Sequence, residues 1–323
     1  MTVRVSTGAR LHVGFCNLSL AHERLYGSLG LALDEPRVEV TADPAETVVC
    51  EHDAAREFAA AAVDELGVDG AEVTVEAELP RHAGLGSGTQ LALAVLAAVA
   101  RVHDRDPAVR ARAPALGRGG RSGVGVATFE SGGFVLDGGH PTTRFTTERP
   151  ERGSWDVPPT VARHDVPADW RFVLVIPETE PGPSDDAEDR QMRNVVESAA
   201  PDVADCVGGV VLRRVLPAVA EGDHERFGAA VEAVGRLNGS WYADAQGGVY
   251  RPPVGELVDA LSADPAVAGA GQSSWGPTTY GVTDADRAEA AAAAGRGALD
   301  DADVDGTVRV VGGRNRGAAV EGP

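Results

Sequence analysis

The segment Pro80-Arg81-His82-Ala83-Gly84-Leu85-Gly86-Ser87-Gly88-Thr89-Gln90 gathers glycines and hydroxyl side chains into a single turn. Between a strand and a helix, such a turn aims unpaired backbone N–H groups and the positive end of the helix dipole into one small volume. Phosphate fits that volume. Gly84, Gly86 and Gly88 let the backbone come close, and Ser87 and Thr89 add hydroxyl donors or a handle on Mg²⁺. The plainer alternative is a left-handed turn capping a core helix. A second glycine-rich segment, Gly117 to Gly125, holds Arg121 and Ser122, and its glycines imply close backbone approach to another group.

The flanking pattern supplies the elements that would position these turns. Ala71 to Leu79 alternates Val73, Val75, Ala77 and Leu79 against Glu72, Thr74, Glu76 and Glu78, which predicts a half-buried strand stopped by Pro80. Thr89 to His103 is apolar nearly all round, as a helix buried within a domain must be. Short strands are expected at Val3 to Ser6, Arg10 to Phe15 and Arg37 to Thr41, with a helix from Ala54 to Leu66 capped by Gly67. Val126 to Glu130 and Gly133 to Asp137 read as strands. After a polar stretch from Thr142 to Pro159 comes a buried strand, Arg171 to Ile176. Helices follow near Asp185 to Ser198, Val203 to Ala220 and Glu225 to Leu237. Strands at Ala266 to Gly271, Thr278 to Val282 and Thr307 to Val311, with a helix from Asp284 to Ala294, complete an α+β pattern. The expected division is 1–160, 161–311 and a flexible tail, 312–323.

Composition narrows the chemistry. The 323 residues are 43% hydrophobic, enough for a sizeable core, and carry a formal charge of -20. All 29 basic residues are arginine. Without lysine there is no Schiff-base cofactor, no lysine base and no P-loop of the Gly-Lys-Ser/Thr type, so arginine, backbone N–H groups or a metal must hold any phosphate. An acidic, arginine-only surface suits a cytosol of very high salt and points to a halophile, with a GC-rich genome as the alternative. It repels nucleic acid. Cys16, Cys50 and Cys206 are too few and too scattered for a disulfide framework or structural zinc site. The longest apolar run, Leu91 to Ala100, is about half of the ~20 residues a membrane span needs, and a cytoplasmic, non-membrane protein is expected.

The turn from Pro80 to Gln90 resembles the phosphate loop of the GHMP kinase superfamily. Thr7-Gly8-Ala9-Arg10-Leu11-His12-Val13-Gly14-Phe15 is similar to its N-terminal motif, and Gly269 to Thr278 stands where its C-terminal glycine motif belongs. Within the superfamily, the chain resembles the archaeal β-ribofuranosylaminobenzene 5′-phosphate synthases. That match rests on Arg10-Leu11-His12, Gly86 to Gln90, Gly119 to Gly125, Gly132 to His140 and Ser273-Ser274-Trp275-Gly276-Pro277. The resemblance implies an N-terminal half like ribosomal protein S5 domain 2 and a ferredoxin-like C-terminal half. It also implies a reaction: phosphoribosyl pyrophosphate joins a para-substituted benzoate, 4-hydroxybenzoate or 4-aminobenzoate, with release of CO₂ and pyrophosphate. Mg²⁺ is the implied cofactor and a homodimer the implied assembly.

On that reading Gly84, Gly86, Ser87, Gly88, Thr89, Ser122, Ser273 and Ser274 bind phosphate, and Arg121 clamps either the ribose 5-phosphate or the benzoate carboxylate. Arg10 and His12, two apart on one strand, both face the site. Asp137 would hold Mg²⁺ and His140 would move protons, while Trp275 would stack on the acceptor ring. Each has a bland rival: a solvated arginine, a core histidine, a turn-stabilising aspartate, a structural tryptophan. Gly88 stands where kinases of the superfamily carry a second small hydroxyl, and Gln272-Ser273-Ser274-Trp275 replaces consecutive glycines. An ATP-dependent small-molecule kinase and a non-catalytic phosphate-binding protein remain as competing readings.

Overall fold

The computed structural model describes residues 2–146, 150–178 and 185–322. The first half runs β1 (Val3–Asn17), β2 (Arg24–Pro44), α1 (Asp53–Leu66), β3 (Ala71–Ala77), α2 (Ser87–Val102), α3 (Val109–Arg112), α4 (Val124–Ser131), β4 (Phe134–Asp137), β5 (His140–Pro141) and β6 (Thr160–His164). The second runs β7 (Trp170–Pro177), α5 (Asp185–Ser198), α6 (Pro201–Val210), α7 (Leu216–Glu221), α8 (His224–Gln246), α9 (Val254–Ala263), β8 (Gly269–Gln272), β9 (Thr279–Asp284), α10 (Ala288–Asp301), β10 (Gly306–Gly312) and β11 (Ala319–Glu321).

The first sheet is antiparallel in the order β11-β1-β2-β4-β6, with β3 and β5 also paired to β2. Helix α2 lies against it, and its residues from Gln90 to Ala100 are all buried, which accounts for a sequence with no polar face. The second sheet has the order β10-β7-β9-β8 and is antiparallel throughout. With helices between β7 and β8 and between β9 and β10, this is the ferredoxin-like half. Helix α8 joins the halves: Asn238 accepts from the Phe15 N–H at 2.7 Å and donates to the Phe15 carbonyl at 2.9 Å.

Helix α1, its left-handed Gly67 cap and strand β3 lie where the pattern puts them. Four expectations change. The two opening strands are one, β1, because the apparent breaks near Gly8 and Gly14 are register shifts against β2 rather than turns. Val126 to Glu130 is helical, part of α4; Val124 to Phe129 is buried on every side, and a run without a polar face carries no period to distinguish strand from helix. Strand β6 pairs with β4, so the first half extends past residue 160.

The closing segment is not a frayed tail. Gly313 bridges to Leu33, Arg314 is buried and donates to the carbonyls of Arg316 and Gly317, and β11 pairs with β1 through Arg4–Glu321, Val5–Val320 and Ser6–Ala319. The chain thus returns to the sheet it began in. Truncation after Gly312 should lower the thermal midpoint by ~5 °C or more, since it strips one edge of the first sheet; calorimetry of the truncated and full chains measures it, and a dispensable tail would leave the midpoint unchanged.

Candidate active site

The glycine turn is braced on two sides. Gly84 and Gly86 both take left-handed φ of 82°, and a Cβ on Gly84 would stand 2.1 Å from the Ser273 carbonyl oxygen. The Gly84 carbonyl accepts from Arg10 Nη1 at 2.6 Å and from Ser273 Oγ at 2.7 Å. Arg10 N–H donates to the Leu85 carbonyl, Ser274 N–H to the His12 carbonyl and Thr278 N–H to the Ala83 carbonyl. With the Gly84 carbonyl turned into this brace, Gly86, the N-cap of α2, has no side-chain cap; Thr89 and Gln90 N–H donate to the Gly86 carbonyl, which leaves Ser87 and Gly88 as the orphan N–H groups of the helix start. This is the geometry that draws an anion. Gln90, one turn into α2, accepts from Thr7 Oγ1 at 2.8 Å and donates to the Gly125 carbonyl at 3.0 Å, which ties this loop to the second glycine segment.

Two cavities flank the loops. One, of about 420 Å³, is lined by the loop residues Gly84, Gly86, Ser87, Gly88 and Thr89 and by the side chains of Arg10, Arg81, Arg118, Arg152 and Ser274. The other, of about 570 Å³, is lined by Arg121 and Ser122, by Arg118, Arg144 and Arg193, and by the rings of Tyr26, His140, Phe145 and Trp155. Thr89 and Arg118 line both. Arg118 lies over the Phe58 ring at 5.0 Å, and its carbonyl accepts from Trp155 Nε1 at 2.9 Å. Three non-glycine residues on these walls, Tyr26, His82 and Ser274, have φ between 56° and 67°, strain of a kind that concentrates at functional sites.

Burial sets the protonation of both candidate histidines. His140 is 6% exposed, its Nε2 is without a hydrogen-bond partner, and burial lowers its pKa while a backbone hydrogen bond at Gly119 opposes the shift. Its imidazole is therefore neutral at pH 7, and the residue lines the larger cavity. His12 is 3% exposed and pushed down to about 3, first by burial and then by the neighbouring Arg10 charge. Its ring meets Phe15 edge-on at 4.9 Å and lines a small cavity of about 40 Å³ behind Ser274 and Trp275.

Residues 51–133 match the GHMP kinases N terminal domain and residues 215–301 the GHMP kinases C terminal domain. Homoserine kinase from Cytophaga hutchinsonii has the same fold, with a TM-score of 0.64 at 18% identity over 99% of this chain and 97% of that one. The β-ribofuranosylphenol 5′-phosphate synthase of Methanothermobacter thermautotrophicus is 33% identical over 97% of both chains. The chain belongs to the β-ribofuranosylphenol 5′-phosphate synthase family. The synthase of the same name from Archaeoglobus fulgidus is 35% identical over 87% of this chain and 88% of its own. Among the described residues, no helix is long and apolar enough to cross a membrane.

In this family member the predicted site residues divide. Arg10, Gly84, Gly86, Ser87, Gly88, Thr89 and Ser274 line the loop cavity, while Arg121, Ser122, His140 and again Thr89 line the larger one. Four do not take their expected places. Asp137 is 2% exposed, and its carboxylate accepts from Ser28 Oγ at 2.7 Å, Gly123 N–H at 2.8 Å and Gly139 N–H at 2.9 Å. It anchors the second glycine segment at Gly123 and its own turn at Gly139, and lines neither cavity. Ser273 is 0% exposed, its hydroxyl taken up between Gly84 and the His12 N–H. Arg10 and His12 keep an unbroken register with β2 and so share one face of β1, yet the His12 ring lines the small cavity while Arg10 lines the loop cavity. Trp275 stands edge-on to Tyr242 at 4.9 Å and lines the small and loop cavities, away from the aromatic wall. Arg118, Arg144, Arg193 and Tyr26 escaped the sequence reading. Their signal was the absence of lysine, which leaves every cationic contact to arginine.

Two outcomes test this geometry. Ser273→Ala removes the acceptor of the buried His12 N–H and one of the two donors to the Gly84 carbonyl, and should cost ~1–3 kcal/mol in urea unfolding. The His12 pKa is lower folded than unfolded, so between pH 6.5 and about 3 the unfolded chain binds the extra proton and stability falls with pH. His12→Phe should flatten that part of the stability profile; an unchanged slope would mean that His12 is not held neutral.

Proposed function

We propose that this chain joins phosphoribosyl pyrophosphate to 4-hydroxybenzoate, giving β-ribofuranosylphenol 5′-phosphate, CO₂ and pyrophosphate. The observation that carries the reading is the meeting of two unlike cavities at Thr89 and Arg118: one built on the phosphate loop, the other walled by aromatic rings and arginines. The names of the relatives support it, and they favour a phenol over the aniline that 4-aminobenzoate would give.

The first-turn N–H groups of α2, Ser87, Thr89 and the guanidinium groups of Arg10 and Arg118 bind the pyrophosphate and stabilise the charge that grows on it as the C1–O bond breaks. The benzoate ring lies in the larger cavity, and its carboxylate-bearing carbon attacks ribose C1. The bond to the carboxylate then breaks, its electron pair restores the aromatic ring, and CO₂ leaves. His140 Nε2 accepts the para-hydroxyl proton during attack and returns it afterwards, so no net proton is consumed.

Asp137 does not fit the expected Mg²⁺ role, since its oxygens are spent on Ser28, Gly123 and Gly139. Among the described residues no group of three or more His, Cys, Asp or Glu side chains could hold a metal ion. Mg²⁺ would arrive on the pyrophosphate, with the hydroxyls of Ser87 and Thr89 as the protein's contribution, and would add charge neutralisation at the leaving group. The acidic, lysine-free composition further suits a cytoplasm of high salt.

Purified protein in multimolar KCl with Mg²⁺, phosphoribosyl pyrophosphate and 4-hydroxybenzoate should release CO₂ and pyrophosphate in equal amounts. Release of neither, with ATP consumed on an alcohol instead, would establish the kinase reading. Gly86→Val should abolish pyrophosphate binding by calorimetry, because its Cβ would stand 2.9 Å from Arg10 Cγ at a left-handed φ. With its pKa lowered, His140 stays a base below pH 6.5. The pH profile of kcat/KM should therefore hold level from neutrality through pH 6.5 and fall only in stronger acid, with that limb absent in His140→Gln.

A further inference from the structure

One corner of the larger cavity is built around a phenol oxygen of the protein's own. Tyr26, held at a φ of 67°, turns its ring edge-on to His140 at 6.3 Å, and its hydroxyl is hydrogen-bonded by Arg121. Arg121 is also ion-paired to Asp189 of α5, and Arg193, one helical turn further along α5, lines the same cavity. Asp189, Arg193, Tyr26 and His140 thus face one volume from three elements: α5, β2 and β5. The charges of Arg121 and Arg193 both act to lower the Tyr26 pKa against a larger opposing effect of burial.

We infer that Arg193, together with Arg121, reads the para-hydroxyl oxygen of the acceptor, and that this corner rather than the loop sets the choice of hydroxy over amino acceptors. The inference rests on the synthase reading above. Its argument is one of donor and acceptor counts. A guanidinium carries only donors, while the Asp189 carboxylate is an acceptor and neutral His140 presents an acceptor nitrogen. A hydroxyl satisfies both kinds, since its O–H donates to His140 Nε2 or Asp189 and its oxygen accepts from Arg193.

The other acceptor groups fail one side or the other. The benzoate carboxylate has no proton to donate and would set a second negative charge against Asp189. An arylamine shares its lone pair with the ring, so it offers N–H donors to the guanidinium donors and leaves them unpaired. The ring is therefore oriented with its hydroxyl toward α5 and its carboxylate-bearing carbon toward Thr89 and Arg118, where the sugar enters. The carboxylate is then not held in the Arg121–Arg193 corner as it leaves as CO₂.

The test is the ratio of kcat/KM for 4-hydroxybenzoate to that for 4-aminobenzoate. Wild-type enzyme should favour the hydroxy acceptor. Arg193→Gln, whose amide oxygen can accept from an amine, should cut the ratio by ~10–100-fold, the span expected for one charged hydrogen bond. Arg193→Lys, still donor-only, should keep it. A ratio unchanged in Arg193→Gln, an equal loss on both acceptors, or a wild-type preference for the amino acceptor would each overturn the assignment. A second measurement is independent of turnover. The ultraviolet difference spectrum of 4-hydroxybenzoate on the enzyme with pyrophosphate should carry a neutral-phenol band shifted from its position in water, a shift that Arg193→Gln loses; a wild-type spectrum with an unshifted band, or with a phenolate band, counts against the corner. If wild-type enzyme turns over neither acceptor, the synthase reading fails, and this spectrum still decides whether the corner binds a phenol.

Discussion

The site depends on the direction in which one carbonyl points. Gly84 turns its oxygen inward, where Arg10 Nη1 and Ser273 Oγ both donate to it. Only with that oxygen removed can the adjoining turn present N–H groups alone to an anion, because a single outward carbonyl would place a partial negative charge beside the phosphate. The two donors come from opposite ends of the chain, β1 and the turn after β8. Loop geometry is thus set by the docking of the two halves together with the loop's own left-handed glycines.

A protein of net charge -20 still gathers arginines around both cavities, with few acids among them: Glu57 and Glu78 in the loop cavity and Asp189 in the larger one. Arginine also brings what lysine could not. Its planar, fully charged fork can lie on an aromatic face, as Arg118 does on Phe58, and still direct N–H groups sideways toward Gly88. Arg118, one of the two residues common to both cavities, is thereby held through its flat side.

The glycine turn was legible in the sequence because its function demands unusual residues at adjacent positions, and α2 because burial on all sides erases its polar face. What escaped notice shares a different property. Tyr26, Arg118, Arg144 and Arg193 reach the site from separate elements, so no local spacing announces them. Asp137 and Ser273 misled for the converse reason. They stand beside glycines in the chain, yet their polar atoms are consumed in bracing glycine turns, Asp137 at Gly123 and Gly139 and Ser273 at the distant Gly84. Proximity in sequence identified the right neighbourhood and not which side chains open onto it. The closing segment escaped too, since Arg314 is buried against backbone carbonyls that a residue-by-residue reading cannot see.

The division of the site into two cavities gives the fold its reach beyond phosphoryl transfer. A loop that holds polyphosphate is indifferent to whether the bond that breaks is phosphorus to oxygen or carbon to oxygen, provided the negative charge grows on the group it holds. The outcome is decided by what the second cavity presents to the electrophile. A wall of Tyr26, Phe145, Trp155 and His140, whose pKa burial lowers, is too weakly basic for an aliphatic alcohol but suits a flat phenolic ring whose own π-electrons are the nucleophile. The aromatic wall, more than the glycine turn, then separates a C-riboside synthase from the kinases whose fold it shares.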